Sequence, residues 1–342
     1  MAVNGQWPKE AGCAGIIFSW RNIALHYHKT SSLVESGILA AVAVLFTLVG
    51  NYIPVLDIIV SILWPLPIIL CGRRNGLKWS ILCLLVTGCV VAVLLSPLQA
   101  LTQCVILGLI GLFMGYAMEK QMSPTQTLLM GSLGALLSTV LSALAAYFFM
   151  HVNVIEVFFQ SIDESVNMSS EIFQTLGMKG MTDVQLAQLK KMFELILPAG
   201  VLLSAPITAI ANYWAARKIL GRMGDYYPWF PPFSLWQLPK WLLLPYGIGM
   251  MLIFFGQNYQ DSLVYRGGYT LYMMMNMLLL VQGLSLIRWY VEYRHYPRIL
   301  LPLSLLLTFT LPIASQLVVV LGAYEMVFDL RKIRKTGANK PE

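Results

Sequence analysis

Charge is scarce in this chain and unevenly placed. Only 11% of its 342 residues are charged, while 58% are hydrophobic; a soluble domain carries roughly 25% and 45–50%. A water-soluble fold of this size could not hide so much apolar surface, because more than half of its exterior faces solvent. Several chemistries also lack their signatures. There is no GxxxxGK[ST] loop to cradle ATP phosphates, no HExxH pair, no Gly-x-Ser-x-Gly elbow and no CxxC metal knuckle. The apolar runs carry no central Lys, Arg, Asp or Glu of the kind that marks a proton relay. An enzyme is therefore not expected, nor is a cofactor. His26 and His28 form an HxH pair without a further ligand nearby, a poor metal site. Cys71, Cys83, Cys89 and Cys104 sit in or at the ends of apolar segments, as small buried hydrophobes do.

The charges that remain lie between the apolar runs. The net charge of +7 comes from clusters at segment ends: Arg73, Arg74 and Lys78; Arg217, Lys218 and Arg222; Arg288, Arg294 and Arg298; and the tail from Arg331 to Lys335. Retention of Lys and Arg on the cytoplasmic side of a membrane produces this distribution, so nucleic acid is not the partner; the lipid bilayer is. The expected fold is all-α, a polytopic transmembrane helical bundle of about 8–10 spans. Residues 1–32 form a cytoplasmic or interfacial preamble without a small-residue cleavage pattern behind a basic start.

The order of segments follows from the uncharged runs. One span lies between Glu35 and Asp57, ending near Asn51-Tyr52-Ile53-Pro54, and a shorter run follows from Ile58 to Gly72. Trp79 to Met118 is uncharged for 40 residues, about 60 Å of helix against a bilayer core of about 30 Å. It must be two helices, with Ser96-Pro97 as the turn. Gln121 to Ile155 supplies a fifth, bearing a small-residue ridge of Gly131, Gly134, Ala135, Ser138, Ser142 and Ala145 that lets a neighbouring helix approach closely. Residues 156–191 carry five acids and read as a helical excursion outside the membrane, with capping-box spacing at Thr182 to Gln185. A sixth span, Leu195 to Ala216, closes a membrane domain at 33–217. An aromatic, proline-rich connector, 218–240, is expected along the interface. The C-terminal membrane helices occupy 241–330: Trp241 to Phe255, Gly268 to Leu286, and a last region from Ile299 to about Leu330 with Pro312 in its middle. Lys and Arg counts put both termini in the cytoplasm. That requires an even number of crossings, so the last region is expected to turn back near Pro312 and deliver a basic cytoplasmic tail, 331–342.

Polar residues within the spans are few enough to name. Gln99 and Gln103, four apart, share one face of the fourth helix near its outer end. Asn51, Tyr52 and Asp57 occupy the first outer loop. These five could line an outward-facing pocket, or they could hydrogen-bond neighbouring helices and headgroups. Asn276 and Gln282 are expected to bond between helices, and Met273-Met274-Met275 to pack.

Two stretches carry a family resemblance. The first holds Asn51-Tyr52-Ile53-Pro54, Trp64-Pro65-Leu66-Pro67, Gly76-Leu77-Lys78-Trp79 and Gly108-Leu109-Ile110-Gly111-Leu112-Phe113-Met114-Gly115-Tyr116. The second holds Asn276 through Gln282-Gly283-Leu284-Ser285, Leu321-Gly322-Ala323-Tyr324 and Phe328-Asp329-Leu330-Arg331-Lys332. Over about residues 33–335 the chain resembles the YybS-like family of bacterial integral membrane proteins, which implies residence in the bacterial cytoplasmic membrane. Residues 1–31 lie outside the resemblance, and translation starting near Ser32 is one expectation. The first six spans also resemble the S-component of energy-coupling-factor transporters. That resemblance implies a six-helix half that captures a micronutrient-like small molecule, working with a membrane coupling protein and ABC ATPases. S-components dock through small residues in the first helix, often AxxxA; Gly37 and Ala41 stand at those positions here, with Gly in place of the first Ala. The spans after Arg217 depart from a minimal S-component. The sequence leaves two functions open: a small-molecule binding and uptake subunit without its own ATPase, or a non-transport membrane scaffold or regulator.

Overall fold

A computed structural model describes residues 13–175, 182–258, 262–297 and 299–331, with side chains from Ser31 onward. Every regular element among these residues is helical. In chain order the α-helices are α1 (Cys13–Tyr52), α2 (Pro54–Leu63), α3 (Pro65–Asn75), α4 (Leu77–Leu94), α5 (Pro97–Gln103), α6 (Leu109–Glu119), α7 (Pro124–Met150), α8 (Val154–Thr175), α9 (Asp183–Arg222), α10 (Leu243–Gly256), α11 (Leu263–Tyr293), α12 (Leu300–Thr310) and α13 (Pro312–Phe328). A π-helical turn, Cys104–Gly108, joins α5 to α6. Among the described residues, six helical stretches are long and apolar enough to cross a membrane: Ser31–Tyr52, Leu77–Leu94, Pro97–Glu119, Pro124–Phe148, Val184–Arg222 and Leu263–Tyr293. The bent pair α12 and α13 would make a seventh if it were one span.

Local chemistry sets the boundaries where it is strongest. Ser96 caps α5, its Oγ accepting from Gln99 N at 3.1 Å, and Pro97 occupies the first helical position, where a missing N–H costs nothing. Thr182 and Gln185 form the expected reciprocal box: Thr182 N donates to Gln185 Oε1 at 2.9 Å and Gln185 N to Thr182 Oγ1 at 3.4 Å. The helix they cap is longer than the expected sixth span, running unbroken from Asp183 to Arg222. The first helix also extends further than expected, starting at Cys13 inside the preamble. Two expected crossings are short. Residues 58–72 are broken at Trp64-Pro65 into α2 and α3, and α10 has 14 residues, about 21 Å at 1.5 Å per residue.

The chain forms two compact units. One comprises residues up to Ala145 together with Pro206–Tyr227; the other comprises Ala146–Ala205 and Pro228 onward. In the first, α3 is the core element, buried from Pro65 through Gly72. It crosses α6 closely enough that a Cβ on Gly72 would stand 3.0 Å from Gly115 Cα. The buried face of α7 is Thr127, Gly131, Gly134, Ala135 and Ser138, so the ridge read from sequence packs inside the unit. A side chain on Gly131 would run into Met114 and Ala209, and one on Gly134 would stand 3.0 Å from Leu109 O. The connector's first residues close this unit: Arg73 grips Asp225 at 2.9 Å through two nitrogens, and Tyr227 donates to Met122 O at 2.6 Å. Burial holds the Tyr227 phenol above its ordinary pKa.

In the second unit α8 pairs with the start of α9 through Lys190 and Asp163 at 2.6 Å and an edge-on Phe158–Phe193 contact. Its other helices pack on α11. Gly256 lies against Tyr265, Gly268 against Leu252 and Gly249 against Tyr272. One number rises as the other falls, so α10 and α11 are antiparallel. Against α13 the numbers rise together: Gly322 meets Leu279, Glu325 bonds Gln282, and Arg331 bonds Ser285. The last helix therefore runs in the direction of α11. Since α12 starts seven residues after α11 ends and is bent by 114° from α13, the α12–α13 pair enters and leaves this unit at one end. The turn expected near Pro312 is there, at Leu311, where the helix breaks and Pro312 restarts it.

Candidate functional site

Two polar constellations stand out against the apolar background. The first lies between the C-terminal end of α1 and the start of α5. Thr47 is buried, accepts from Trp64 Nε1 at 2.8 Å and donates to Gln103 Oε1 at 2.9 Å. One turn further along both helices, Gln99 Nε2 donates to Asn51 Oδ1 at 2.9 Å. The two rungs arise because Thr47 and Asn51 are four apart on α1, as Gln99 and Gln103 are on α5. Among the described residues, Gln103 Nε2, Gln99 Oε1 and Asn51 Nδ2 carry no further hydrogen bond. The π-turn begins at the next residue, Cys104; such turns are frequent where a helix carries a site.

Of the five residues expected to line an outer pocket, the structure thus joins Asn51 to Gln99 and sets Gln103 one rung below. Tyr52 is 71% exposed and stands apart from them. The side chain of Asp57 lies outside the described residues. Thr47 and Trp64, which complete the ladder, were missed; the Thr47–Asn51 spacing of four was the available signal. Gly37 and Ala41 are exposed on α1, and nothing comes within 4 Å of a Cβ built on Gly37. Ser138 is buried and donates to Ala135 O, while Ser142 is partly exposed and donates to Thr139 O.

The second constellation sits where the connector meets α11 and α13. Arg331, expected in a solvated tail, is instead buried, its side chain 0% exposed against Glu325 at 1%. Its Nε donates to Glu325 Oε1 at 3.0 Å, Nη1 to Ser234 O at 2.6 Å and Ser285 Oγ at 2.9 Å, and Nη2 to Trp236 O at 2.9 Å. Gln282 donates to Glu325 Oε2 and accepts from Leu238 N. Gln237 bridges Glu325 and Asp329 at 3.2 Å each. Asp329 ends α13 in the left-handed region, φ 49°, which aims the following residues back toward the connector. Four of the five polar hydrogens of this guanidinium have acceptors, so the arrangement is a clamp. It pins residues 234–238 onto the helices and leaves no free cation. The correction has a physical cause: a carboxylate one turn from the end of an apolar helix must be paired, and Arg331 was the nearest cation in sequence. The remaining tail, 332–342, lies outside the described residues. Below the clamp Met275 packs with Leu279, Val318 and Val319, as the packing reading of the methionine run required.

The model of a family described as predicted membrane protein (DUF2232) matches residues 41–329. A relative from Bacillus subtilis (strain 168), described as uncharacterized protein YybS, is 25% identical over 306 residues, covering 89% of this chain and 98% of its own. No solved structure matches the chain.

Proposed function

The chain belongs to the DUF2232 family of membrane proteins, and from that premise we propose that it is a binding and uptake subunit for a small polar molecule. It works without an ATPase of its own and catalyses no reaction. The observation that carries this reading is the two-rung ladder of α1 and α5, whose three unbonded amide atoms sit beside a π-turn. Amide groups that already fix one another in place can meet a polar ligand at little further ordering cost. Asn51, Gln99 and Gln103 are the contact residues.

The open face at Gly37 and Ala41 supports the partner side of the same reading. A flat, small-residue surface allows a second membrane helix to approach closely, in the way the resemblance to energy-coupling-factor S-components implies for a membrane coupling protein with its ABC ATPases. The site faces outward from the bacterial cytoplasmic membrane, and both termini are cytoplasmic. The same open face would equally serve a scaffold that holds partner proteins.

A mild-detergent pull-down of the tagged protein, read by mass spectrometry, tests the choice. Recovery of a coupling protein with ABC-type ATPases is the expected result. It is followed by a ligand screen in which Gln99→Ala with Gln103→Ala weakens binding about 10-fold, as loss of hydrogen-bond partners to a ligand does. Recovery of the folded protein with other membrane proteins and no ATPase would favour the scaffold.

A further inference from the structure

The elbow between α11 and α12 holds a cavity of about 660 Å³ lined by Arg288, Val291, Glu292, His295, Tyr296 and Leu301. It belongs to neither polar constellation described above. Three of its lining groups have donors to spare. Arg288 gives its Nε to Glu292 Oε1 at 3.0 Å, and among the described residues its terminal amino groups carry no hydrogen bond. The His295 imidazole and the Tyr296 hydroxyl also carry none among those residues. His295 occupies a left-handed position, φ 55°, where glycine is the usual choice. The backbone around it is closed: Tyr296 N donates to Val291 O at 3.0 Å and Arg294 N to Tyr290 O at 3.0 Å. The carbonyls of Tyr290 and Val291 at the C-terminal end of α11 are thus paired within the turn.

We propose that this elbow binds a phosphate ester, with its anionic oxygens held by Arg288, His295 and Tyr296 and its apolar remainder against Val291 and Leu301. Guanidinium, imidazole and phenol are all donors, and the guanidinium matches two phosphate oxygens at once. The setting is that of a headgroup layer. Trp289 stacks on Tyr293 and Tyr290 lies beside Tyr296, aromatic residues of the kind that sit at the level of lipid headgroups. Basic pockets beside membrane helices take anionic headgroups in just such positions. The source committed to is an anionic phospholipid; a soluble phosphate shares the chemistry.

The test is native mass spectrometry of the full-length protein in detergent, titrated with phosphatidylglycerol, phosphatidylcholine or inorganic phosphate. Phosphatidylglycerol should bind at least 10-fold more tightly than phosphatidylcholine, and Arg288→Ala with His295→Gln should abolish the preference. Lys120→Ala, which removes a surface cation elsewhere, should leave it intact. Saturable binding of inorganic phosphate that the double variant loses would uphold the site and assign it to a soluble ligand. Equal binding of both lipids with no phosphate bound, or an anion preference that survives in a folded double variant, would overturn the proposal. Folding of the variant is read independently from its thermal transition.

Discussion

Arg331 and Glu325 show what one side chain does when its environment removes water. A charge in an apolar setting needs a partner and its remaining donors need acceptors; here Glu325 is the partner, and two backbone carbonyls and Ser285 accept three of the four remaining hydrogens. Arg331→Ala strands the Glu325 carboxylate at 1% exposure, a loss of about 3–5 kcal/mol. The expected outcome is a lower thermal transition in detergent and faster proteolysis of the 228–239 connector. Glu325→Gln combined with Arg331→Met removes both charges and should recover part of that loss. A single Arg331→Ala variant as stable as the wild type would show that the pair contributes little. At this scale the sequence was only half readable. Glu325, near the end of an apolar run, was not singled out, and its partner depends on a turn at Asp329 that no spacing rule announces. The Asn51–Gln99 rung, by contrast, was suggested by two residues already placed in one outer cluster.

Elements with strong local punctuation could be placed from sequence; those defined by their neighbours could not. Ser96-Pro97 and the Thr182–Gln185 box are set by hydrogen bonds within four residues, and both occur where expected. The break inside residues 54–75 arises from packing: α3 is buried from Pro65 to Gly72 and needs no bilayer-spanning length. The α11–α13 crossing is of the second kind. Gln282-Gly283 and Leu321-Gly322 were both noticed as motifs, yet neither indicates that the two glycines meet. A side chain on Gly322 would run into Leu279 O, and one on Gly283 into Val318 O. The obstacle is backbone in both cases, so no rotamer change relieves it. Gly322→Ala should therefore destabilise the C-terminal unit by at least the roughly 1–3 kcal/mol of ordinary overpacking. Gly37→Ala, with nothing within 4 Å, should leave stability unchanged or raise it by up to about 1 kcal/mol. Thermal unfolding of the two variants side by side decides the matter, and equal transitions would mean the helices part without cost.

For the whole molecule, the residue pairs fix which segments of the second unit share an end. The α10–α11 pairing is antiparallel, and Leu238 N reaches Gln282, so the connector meets α11 about three turns before its C-terminus. Because α13 runs with α11, Arg331 arrives beside that same connector. A single bent span from Ile299 to Leu330 would instead deliver Arg331 to the far end of α11, where Leu263 begins. The 31 residues of α11 measure about 46 Å, more than the bilayer core, so its two ends lie on opposite sides. The hairpin reading thus places Lys240, Tyr296 and Arg331 on one side and Gln257 on the other. Single cysteines at these positions, in a background with the native cysteines replaced by alanine, can be probed with a membrane-impermeant maleimide. Gln257→Cys should label in intact cells; Lys240→Cys, Tyr296→Cys and Lys340→Cys should label only after permeabilisation. Labelling of Lys340→Cys together with Gln257→Cys would make α12 and α13 one crossing and separate the tail from the connector. The basic clusters favour the first outcome on independent grounds, since Arg288, Arg294 and the tail lysines are then all retained on the cytoplasmic side.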